Sequence, residues 1–487
     1  MKPARLAGSA LLVVALALVV AADGLSNLAA AATPGSVLWA KRYNGPGDNF
    51  DGAVAAAVSP NSSTVFVTGY SFDSTTGYDY ATLAYDSLTG GVNWTERYDG
   101  PTSTTDRASA IAVSPDGSTV FVTGYSESST GRDYATVAYD AASGSIRWSK
   151  RYDGPVDADD EANALGVSSD GATLFVTGYS YGSTLSRDFV TVAYDAATGG
   201  KAWVKRYNGP RGGDDGARSI AVSPDGSAVF VLGRSRGLDN NGFDYLTVAY
   251  GADDGAKRWI RRYDGPSPDY RYPNDEDPVA VGVSPDSSRV FVSGTSVLSE
   301  VNADYTTIAY GAVTGAKLWL RRHDGPDGFS DRASALAVSP DGSSVFVTGS
   351  DYTNETGPDY ATVAYDASTG TRLWVRRFVG QVRNDGEFVG SNEAIDVAVS
   401  RDSSIVVVTG YTEDYDFAYR YATIAYDAVT GAKLWTKRYD NGGASSSNSV
   451  RALEVSESAV YVTGLSDDPS VIGEYETDYA TVAYALR

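Results

Sequence analysis

Short segments in which apolar and polar residues alternate follow one another along almost the whole chain. Residues 106–155 contain four of these segments, and polar connections rich in Ser, Asp, Gly and Pro separate them. Alternation with a period of two residues is the pattern of a β-strand that covers one face, and those connecting residues favour tight turns. The pattern therefore predicts four consecutive antiparallel strands, and it recurs along the chain.

A tryptophan marks the fourth segment of every repeat. The eight Trp residues of the chain all stand in this position. They are Trp39, Trp94, Trp148, Trp203, Trp259, Trp319, Trp374 and Trp435. A unit of about 40 to 60 residues with four antiparallel strands is typical of one blade of a β-propeller.

Each end of the chain carries an incomplete repeat. The Trp-bearing segment first appears at residues 37–45, ahead of any complete unit, whereas the last unit ends at its third segment. Pairing the two ends completes a blade and leaves no sheet edge exposed. We therefore predict an all-β protein whose residues 33–487 form a single eight-bladed β-propeller of four-stranded antiparallel blades, with the ring closed by the N-terminal strand.

The first residues have the features of a secretory signal. Lys2 and Arg5 precede an apolar run over residues 11–22, which is too short for a typical membrane span. We predict a signal peptide over residues 1–32, followed by a monomer without a membrane span that is secreted or periplasmic. Because the chain has no Cys, it has neither disulfides nor the cysteine of a lipoprotein anchor.

Charge and residue counts exclude several classes of function. The chain has 61 acidic and 39 basic residues and a formal net charge of −22, which disfavours unaided nucleic-acid binding. With one His and no Cys, it lacks the residues for a His-rich zinc site or a Cys nucleophile. The single His323 stands where most repeats have Tyr, and we interpret it as a structural replacement for that Tyr.

The connection between the third and fourth segments resembles the tryptophan-docking motif of the quinoprotein propellers, the pyrroloquinoline quinone (PQQ) dehydrogenase-like repeat family. The family pattern Ala-x-Asp-x-x-Thr-Gly-x-x-x-Trp stands here as Ala84, Asp86, Thr89, Gly90 and Trp94. The resemblance implies the propeller fold. Enzymatic members of the family add a vicinal disulfide, a calcium site with a catalytic Asp, and a Trp stacked on the quinone. This chain has no Cys and no spare Trp, so we place it in the non-enzymatic branch and expect no cofactor; Ca²⁺ remains compatible and PQQ is disfavoured.

One set of oxygen-bearing side chains recurs seven residues before the Val that ends each first segment. Its members are Asp51, Asp106, Asp160, Asp215, Glu276, Asp331, Asn392 and Asn448. Because first strands are innermost in a propeller, we predict an acidic and amide ring around the mouth of the channel. Such a ring could hold Ca²⁺. Alternatively, each side chain accepts hydrogen bonds from backbone amides of its own loop.

A second recurrent set joins an Arg three residues after each Trp to an Asp before the third segment, as in Arg97 and Asp79. We predict that these side chains pair within the blade. Recurrence in every blade indicates a role in the fold, so we expect function where the copies differ.

The connections between second and third segments differ most among the copies. Propeller geometry places them on one face with the connections between blades, and loops on a rigid scaffold often carry function. The ligand candidates on this face are Arg218, Arg451, Tyr270, Tyr272, Tyr415 and Phe417. We predict an exported, non-catalytic binding scaffold for an unknown protein or carbohydrate. The alternative is an enzyme on the same face, either a PQQ-dependent dehydrogenase or a carboxylate-based polysaccharide-active enzyme.

Overall fold

The computed structural model describes residues 32–183, 186–237, 242–266, 276–299, 302–380, 390–414, 418–440, 448–467 and 476–487 of the 487-residue chain. This part of the chain consists of strands, turns and loops, without helices. Within these ranges no helix could therefore cross a membrane. The predicted signal peptide lies outside them, apart from its last residue.

The strands form eight antiparallel four-stranded sheets, and each sheet is one blade. The first strands of blades 1 to 8 are β2 (Asp51–Val58), β6 (Asp106–Val113), β10 (Asp160–Val167), β14 (Asp215–Val222), β18 (Asp277–Val283), β22 (Arg332–Val338), β26 (Asn392–Val399) and β30 (Asn448–Val455). The second strands are β3 (Thr64–Asp73), β7 (Thr119–Glu127), β11 (Thr173–Tyr181), β15 (Ala228–Arg236), β19 (Arg289–Ser299), β23 (Ser344–Thr353), β27 (Ile405–Glu413) and β31 (Ala459–Asp467).

The outer half of each blade contains its third and fourth strands. The third strands are β4 (Gly77–Asp86), β8 (Arg132–Asp140), β12 (Arg187–Asp195), β16 (Phe243–Gly251), β20 (Asn302–Gly311), β24 (Gly357–Asp366), β28 (Tyr419–Asp427) and β32 (Thr477–Ala485). The fourth strands of blades 1 to 7 are β5 (Val92–Tyr98), β9 (Ile146–Tyr152), β13 (Lys201–Tyr207), β17 (Lys257–Tyr263), β21 (Lys317–His323), β25 (Arg372–Phe378) and β29 (Lys433–Tyr439). The fourth strand of blade 8 is β1 (Val37–Tyr43).

The blades stand in a ring around a central channel. Each first strand contacts the first strands of the two neighbouring blades, and β30 contacts β2, so the innermost strands close on themselves. Many of their side chains are half-buried and line the channel. The connections between second and third strands and those between blades lie on one face, which we name the mouth face. The other two kinds of turn form the opposite, turn face. The predicted eight-bladed propeller is confirmed.

Blade 8 is assembled from both ends of the chain, as predicted. β1 pairs antiparallel with β32, placing Trp39 opposite Ala483. The Gly35 amide donates to the Ala485 carbonyl at 2.8 Å, so the two ends reproduce the turn that other blades make with continuous chain. Gly35 has a φ of 72° and its Cα approaches the Trp435 ring, the position that Gly90 takes against Trp39.

The tryptophan motif clamps each blade to the next. Trp94 Nε1 donates to the Ala141 carbonyl of blade 2 at 3.0 Å, and its ring packs between Phe66 and Tyr139. Gly144 of blade 2 has a φ of 77°, and a Cβ there would lie 2.8 Å from the indole. Glycine therefore permits both the turn conformation and the close approach. All eight Trp side chains are buried at such junctions.

Each first strand carries a β-bulge against its second strand. In all eight blades the pairing shifts at one residue of the first strand. The bulged residues are Val54, Ser109, Asn163, Arg218, Val279, Ser334, Ile395 and Arg451. A bulge redirects the side chain at the extra residue, so strict alternation does not predict where these side chains point.

Candidate functional site at the mouth of the channel

The predicted ring of acidic and amide side chains is not at the mouth. All eight side chains are buried, with at most 1% of each residue exposed. Asp51 accepts hydrogen bonds from the amides of Gly45 at 2.5 Å and Phe72 at 3.0 Å, and Asp160 and Asp331 make the equivalent pair of contacts in their own blades. These three acids therefore tie the loop that enters the blade to its second strand. The mouth placement was wrong because the side chain at the start of the strand turns into the blade junction.

Burial raises the pKa values of several of these acids. The loss of water contact raises the pKa of Asp106 and of Asp160 to about 6. For Asp331, burial and then the nearby Asp351 carboxylate raise the pKa to about 7. Burial raises the pKa of Glu276 to about 8. The ring fold therefore buries several carboxyl groups that are easily protonated.

Among the described residues, oxygen ligands close enough to share a metal come together between blades rather than around the axis. Three groups of three carboxylates each have oxygens within 4.8 Å of one another: Asp79, Asp99 and Asp106; Asp133, Asp153 and Asp160; and Asp304, Asp324 and Asp331. Such oxygen sets suit Ca²⁺. An arginine already pairs with the first and second groups, through Asp79 and Asp133 respectively.

The predicted Arg–Asp pairs form inside five blades. Their N–O distances lie between 2.5 and 2.9 Å, and the pairs are Arg42–Asp478, Arg97–Asp79, Arg151–Asp133, Arg206–Asp188 and Arg262–Asp244. The same arginines donate to a second-strand serine, as Arg97 does to Ser71. These side chains hold the sheet together at its mouth-face end.

The junction of blades 5 and 6 departs from this pattern. His323 Nε2 lies 3.1 Å from Asp351 Oδ2, and both residues are buried. Arg377 pairs with Asp351 at 2.6 Å instead of with the Asp that begins its third strand. His323 packs edge-on against Tyr305, as Tyr152 packs against Tyr134 with ring centres 5.4 Å apart, which agrees with a structural replacement for Tyr.

The two predicted arginine ligands are both bulge residues, and their surroundings differ. Arg218 Nη1 lies 2.6 Å from Asp277 Oδ1 in the next blade. Arg451 is exposed and has no ion pair or hydrogen bond within the described ranges. The candidates Tyr270, Tyr272, Tyr415 and Phe417 lie outside the described residues.

Charged side chains of alternating sign follow one another around the mouth, a feature that sequence reasoning missed. From blade 2 to blade 8 they are Arg107, Glu161, Arg218, Asp277, Arg332, Glu393 and Arg451. Each is either the bulge residue or the residue two before it. Because the sign alternates only when these two positions are combined, neither position alone reveals it.

Arginines at the mouth-face ends of several blades are stacked on aromatic rings. The Arg107 guanidinium carbon lies 4.5 Å from the centres of both the Tyr70 and Tyr78 rings. Arg187 lies 4.3 Å from the Tyr179 ring centre. Cation–π contacts of this kind hold a guanidinium in place while its N–H groups stay available for an acceptor.

Two further carboxylates stand deeper on the inner strands. Asp396 Oδ2 accepts a hydrogen bond from the Leu453 amide of the next blade at 2.9 Å. Glu454 occupies a position that is Ala or Gly in the other blades. Burial, and then the neighbouring Asp396, raise the pKa of Glu454 to about 8. Only these two acids interrupt the small residues on this part of the first strands.

Sequence comparison relates these repeats to a known family. The family model described as outer membrane protein assembly factor BamB matches residues 3–156, 80–304, 186–408 and 303–468. The chain belongs to the BamB family of propellers. No curated protein matches it in sequence.

Solved structures that resemble this BamB-family chain are propellers of several kinds. The Dos1 propeller has a TM-score of 0.56 at 12% identity and covers 92% of this chain and 96% of its own. Chaetomium thermophilum Sqt1, bound to the N-terminus of ribosomal protein L10, has a TM-score of 0.56 at 14% identity, with coverage of 91% and 98%. The quinohemoprotein alcohol dehydrogenase of Comamonas testosteroni has a TM-score of 0.54 at 14% identity, with coverage of 92% and 76%. These likenesses show the fold.

The tryptophans of this chain do not fit the stacked-quinone arrangement of the enzymatic propellers. Every Trp indole is buried at a blade junction, and each Nε1 donates to a carbonyl of the next blade at 2.8 to 3.2 Å. No tryptophan therefore remains for a ring at the mouth, and the sequence has no Cys for a vicinal disulfide.

Proposed function

We propose that this protein is an exported, monomeric, non-catalytic scaffold that binds a protein or carbohydrate partner with its mouth face. The observation that carries this proposal is a division between regular and irregular residues. The Trp residues recur in every blade, and so does a buried Asp, Glu or Asn at the start of each first strand; these side chains lie inside the ring. The charged residues that differ between blades stand around the mouth.

The known propellers support a binding role without specifying it. Sqt1 was solved with a peptide segment of another protein, which illustrates that a propeller of this size serves as a binding platform. The enzymatic alternative has weaker support in this chain. Its close carboxylate groups are mostly buried between blades, whereas glycoside hydrolysis needs two carboxyl groups about 5 to 9.5 Å apart that both reach the sugar.

A photo-cross-linking experiment tests which face binds. A photoreactive phenylalanine replaces Phe50, which is 40% exposed on the mouth face, and in a matched control replaces Val429, which is 78% exposed on the turn face. After irradiation in the cell envelope or medium of the producing organism, we expect a discrete adduct from position 50 only. Adducts from both positions, or from position 429 alone, would refute a mouth-face scaffold.

Export and catalysis need separate measurements. Mass spectrometry of the exported protein should find Thr33 as its first residue, and retention of residues 1–32 in the cytoplasm would contradict export. Stoichiometric PQQ uptake with Ca²⁺, accompanied by oxidation of an alcohol or sugar, would establish the dehydrogenase alternative. Release of reducing ends from a glycan that binds on an array would establish the hydrolase.

A further inference from the structure

The bulge residues of blades 3 and 4 each reach toward the next blade. Asn163 of blade 3 donates to the Ala217 carbonyl of blade 4 at 2.8 Å. Arg218 of blade 4 pairs in the same direction with Asp277 of blade 5 at 2.6 Å. Asp277 stands two residues before the bulge of its own strand. One blade thus supplies the guanidinium, and the following blade supplies the carboxylate.

Arg451 repeats the role of Arg218 at the junction where the ring closes, but its carboxylate is missing. Arg451 is the bulge residue of blade 8, and blade 1 follows it. The position that Asp277 occupies in blade 5 is Gly52 in blade 1. No carboxylate of the described residues lies within 4.0 Å of Arg451, whose side chain is exposed.

The space beside Gly52 is polar and bounded by a second arginine. A Cβ at Gly52 would lie 2.7 Å from the Tyr70 Oη, so the phenol lies across the glycine. Arg107 of blade 2 stacks on the Tyr70 ring, and its Nε is buried without an acceptor in the described part of the chain. Burial raises the pKa of Tyr70, while the charges of Arg107 and Arg451 act against that rise. Two guanidinium groups and a phenol O–H therefore flank one neutral position.

The alternating charges around the mouth indicate that a negative charge is missing at blade 1. Each acid of the mouth, such as Asp277 or Glu393, belongs to a blade between two blades that each contribute an arginine. Blade 1 alone contributes no charge there, because its two positions are Gly52 and Val54. One negative charge between Arg451 and Arg107 would complete the alternation.

We propose that the mouth binds a ligand through one carboxylate, held between Arg451, Arg107 and the Tyr70 hydroxyl. Arginine and phenol donors form charge-assisted hydrogen bonds with a carboxylate. One negative charge completes the alternation at the mouth, and the net charge of −22 disfavours a polyanion, so we take the ligand to carry a single negative charge. Arg107 covers the faces of the Tyr70 and Tyr78 rings, so an aryl group next to that carboxylate would pack edge-on against them. This proposal rests on the mouth face being the binding face, and it specifies the ligand as an aryl monocarboxylate.

Ligand-observed fluorine NMR tests the site with a defined probe. The probe is 4-fluorophenylacetate, its neutral counterpart is 4-fluorophenylacetamide, and the protein is the mature chain. Because hydrogen bonds to charged groups are lost without the carboxylate, we expect the acid to bind about tenfold or more tightly than the amide. Arg451→Gln should remove that preference. Arg332→Gln is the matched control, since Arg332 is a mouth arginine with an acid in both neighbouring blades, and it should leave the affinity within about twofold.

A second pair of variants tests the missing carboxylate without removing an arginine. Val54→Asp places an internal carboxylate on blade 1 and should abolish probe binding, whereas Val54→Asn should retain it. Circular dichroism and thermal unfolding verify that each variant is folded.

Three outcomes would overturn the carboxylate site. They are equal binding of acid and amide, absence of saturable acid binding, and an equal loss in Arg451→Gln and Arg332→Gln. The cross-linking experiment at position 50 uses no carboxylate probe, so the two proposals fail separately. An adduct without probe binding refutes only the carboxylate site, and Arg451-dependent probe binding without an adduct refutes only the scaffold.

Discussion

The buried pair of His323 and Asp351 should behave as one coupled replacement. Six of the other seven blades have Tyr at the position of His323, and all seven have Ser or Thr at that of Asp351. At the preceding junction, Tyr263 Oη and Ser296 Oγ lie 3.3 Å apart. We therefore expect His323→Tyr and Asp351→Ser together to rebuild the Tyr–Ser contact of the other blades.

The burial of His323 and Asp351 determines how much unfolding free energy each single variant should lose. His323 is 2% exposed and Asp351 is 0% exposed, and Arg377 donates to the same carboxylate. Removing one partner of a buried, hydrogen-bonded polar pair leaves the other unsatisfied, which costs about 1 to 3 kcal/mol or more, and the remaining Arg377 or a rebuilt hydroxyl contact offsets part of this. Each single variant should therefore lose about 2 to 3 kcal/mol of unfolding free energy. The double variant should lose about 1 kcal/mol or less, a coupling of about 3 to 5 kcal/mol.

Equilibrium urea unfolding of the mature protein, followed by tryptophan fluorescence, measures all four members of this cycle. The comparison is valid where the m-value stays unchanged. His323→Tyr combined with Ser126→Ala in blade 2 is the control, and those distant changes should be additive. If the losses of His323→Tyr and Asp351→Ser also add within about 0.5 kcal/mol, the reasoning from the pair is refuted.

Three further predictions follow from the ring. Deleting residues 33–46 removes β1 and exposes the edge of β32, so light scattering should show aggregation. Deleting residues 1–32 instead should leave a monomer. A stable monomer after both deletions would contradict ring closure by β1. Gly90 and Gly328 have nearly the same φ, 66° and 65°, but a Cβ at Gly90 would lie 2.6 Å from the Trp39 ring, whereas a Cβ at Gly328 would have no atom within 4 Å. Gly90→Ala should therefore lower the free energy of unfolding more than Gly328→Ala. Equal losses would show that the backbone conformation alone, and not the contact with Trp39, sets the cost. Burial raises the pKa of Glu276 to about 8 in the folded protein, against about 4.3 in the unfolded chain. Between these two pH values the folded protein binds one more proton than the unfolded chain, so its stability falls as the pH rises. Glu276→Gln should therefore gain about 1 to 3 kcal/mol at pH 8 and little at pH 5, and parallel pH profiles for the two proteins would exclude this explanation.

The repeat pattern predicted the fold because its evidence is local and recurs in every blade. Trp39 at one end and the incomplete last unit at the other specified blade 8 without any knowledge of distant contacts. The acids such as Asp51 were wrongly placed at the mouth. Sequence register identifies a strand start, but it does not show that the side chain turns into the junction to meet the Gly45 amide.

The mouth was harder to predict because a bulge breaks the alternation. Arg218 and Asp277 come from positions two residues apart in the repeat, yet they meet across a blade junction. His323 and Asp351 lie 28 residues apart and on different blades. An alignment of the eight repeats could have found the pair of His323 and Asp351, because each of these residues departs from the residue type that its position has in the other repeats, and both departures fall at the same blade junction.

A crystal structure of the mature protein soaked with 4-bromophenylacetate tests the account most directly. Anomalous scattering locates the bromine, and the electron density locates the carboxylate. We predict one site at the mouth, with the carboxylate between Arg451 and Arg107 and the aryl ring beside Tyr70 and Tyr78. Density at another mouth arginine such as Arg332, or on the turn face, would contradict the conclusion that the blade lacking a mouth charge forms the binding site.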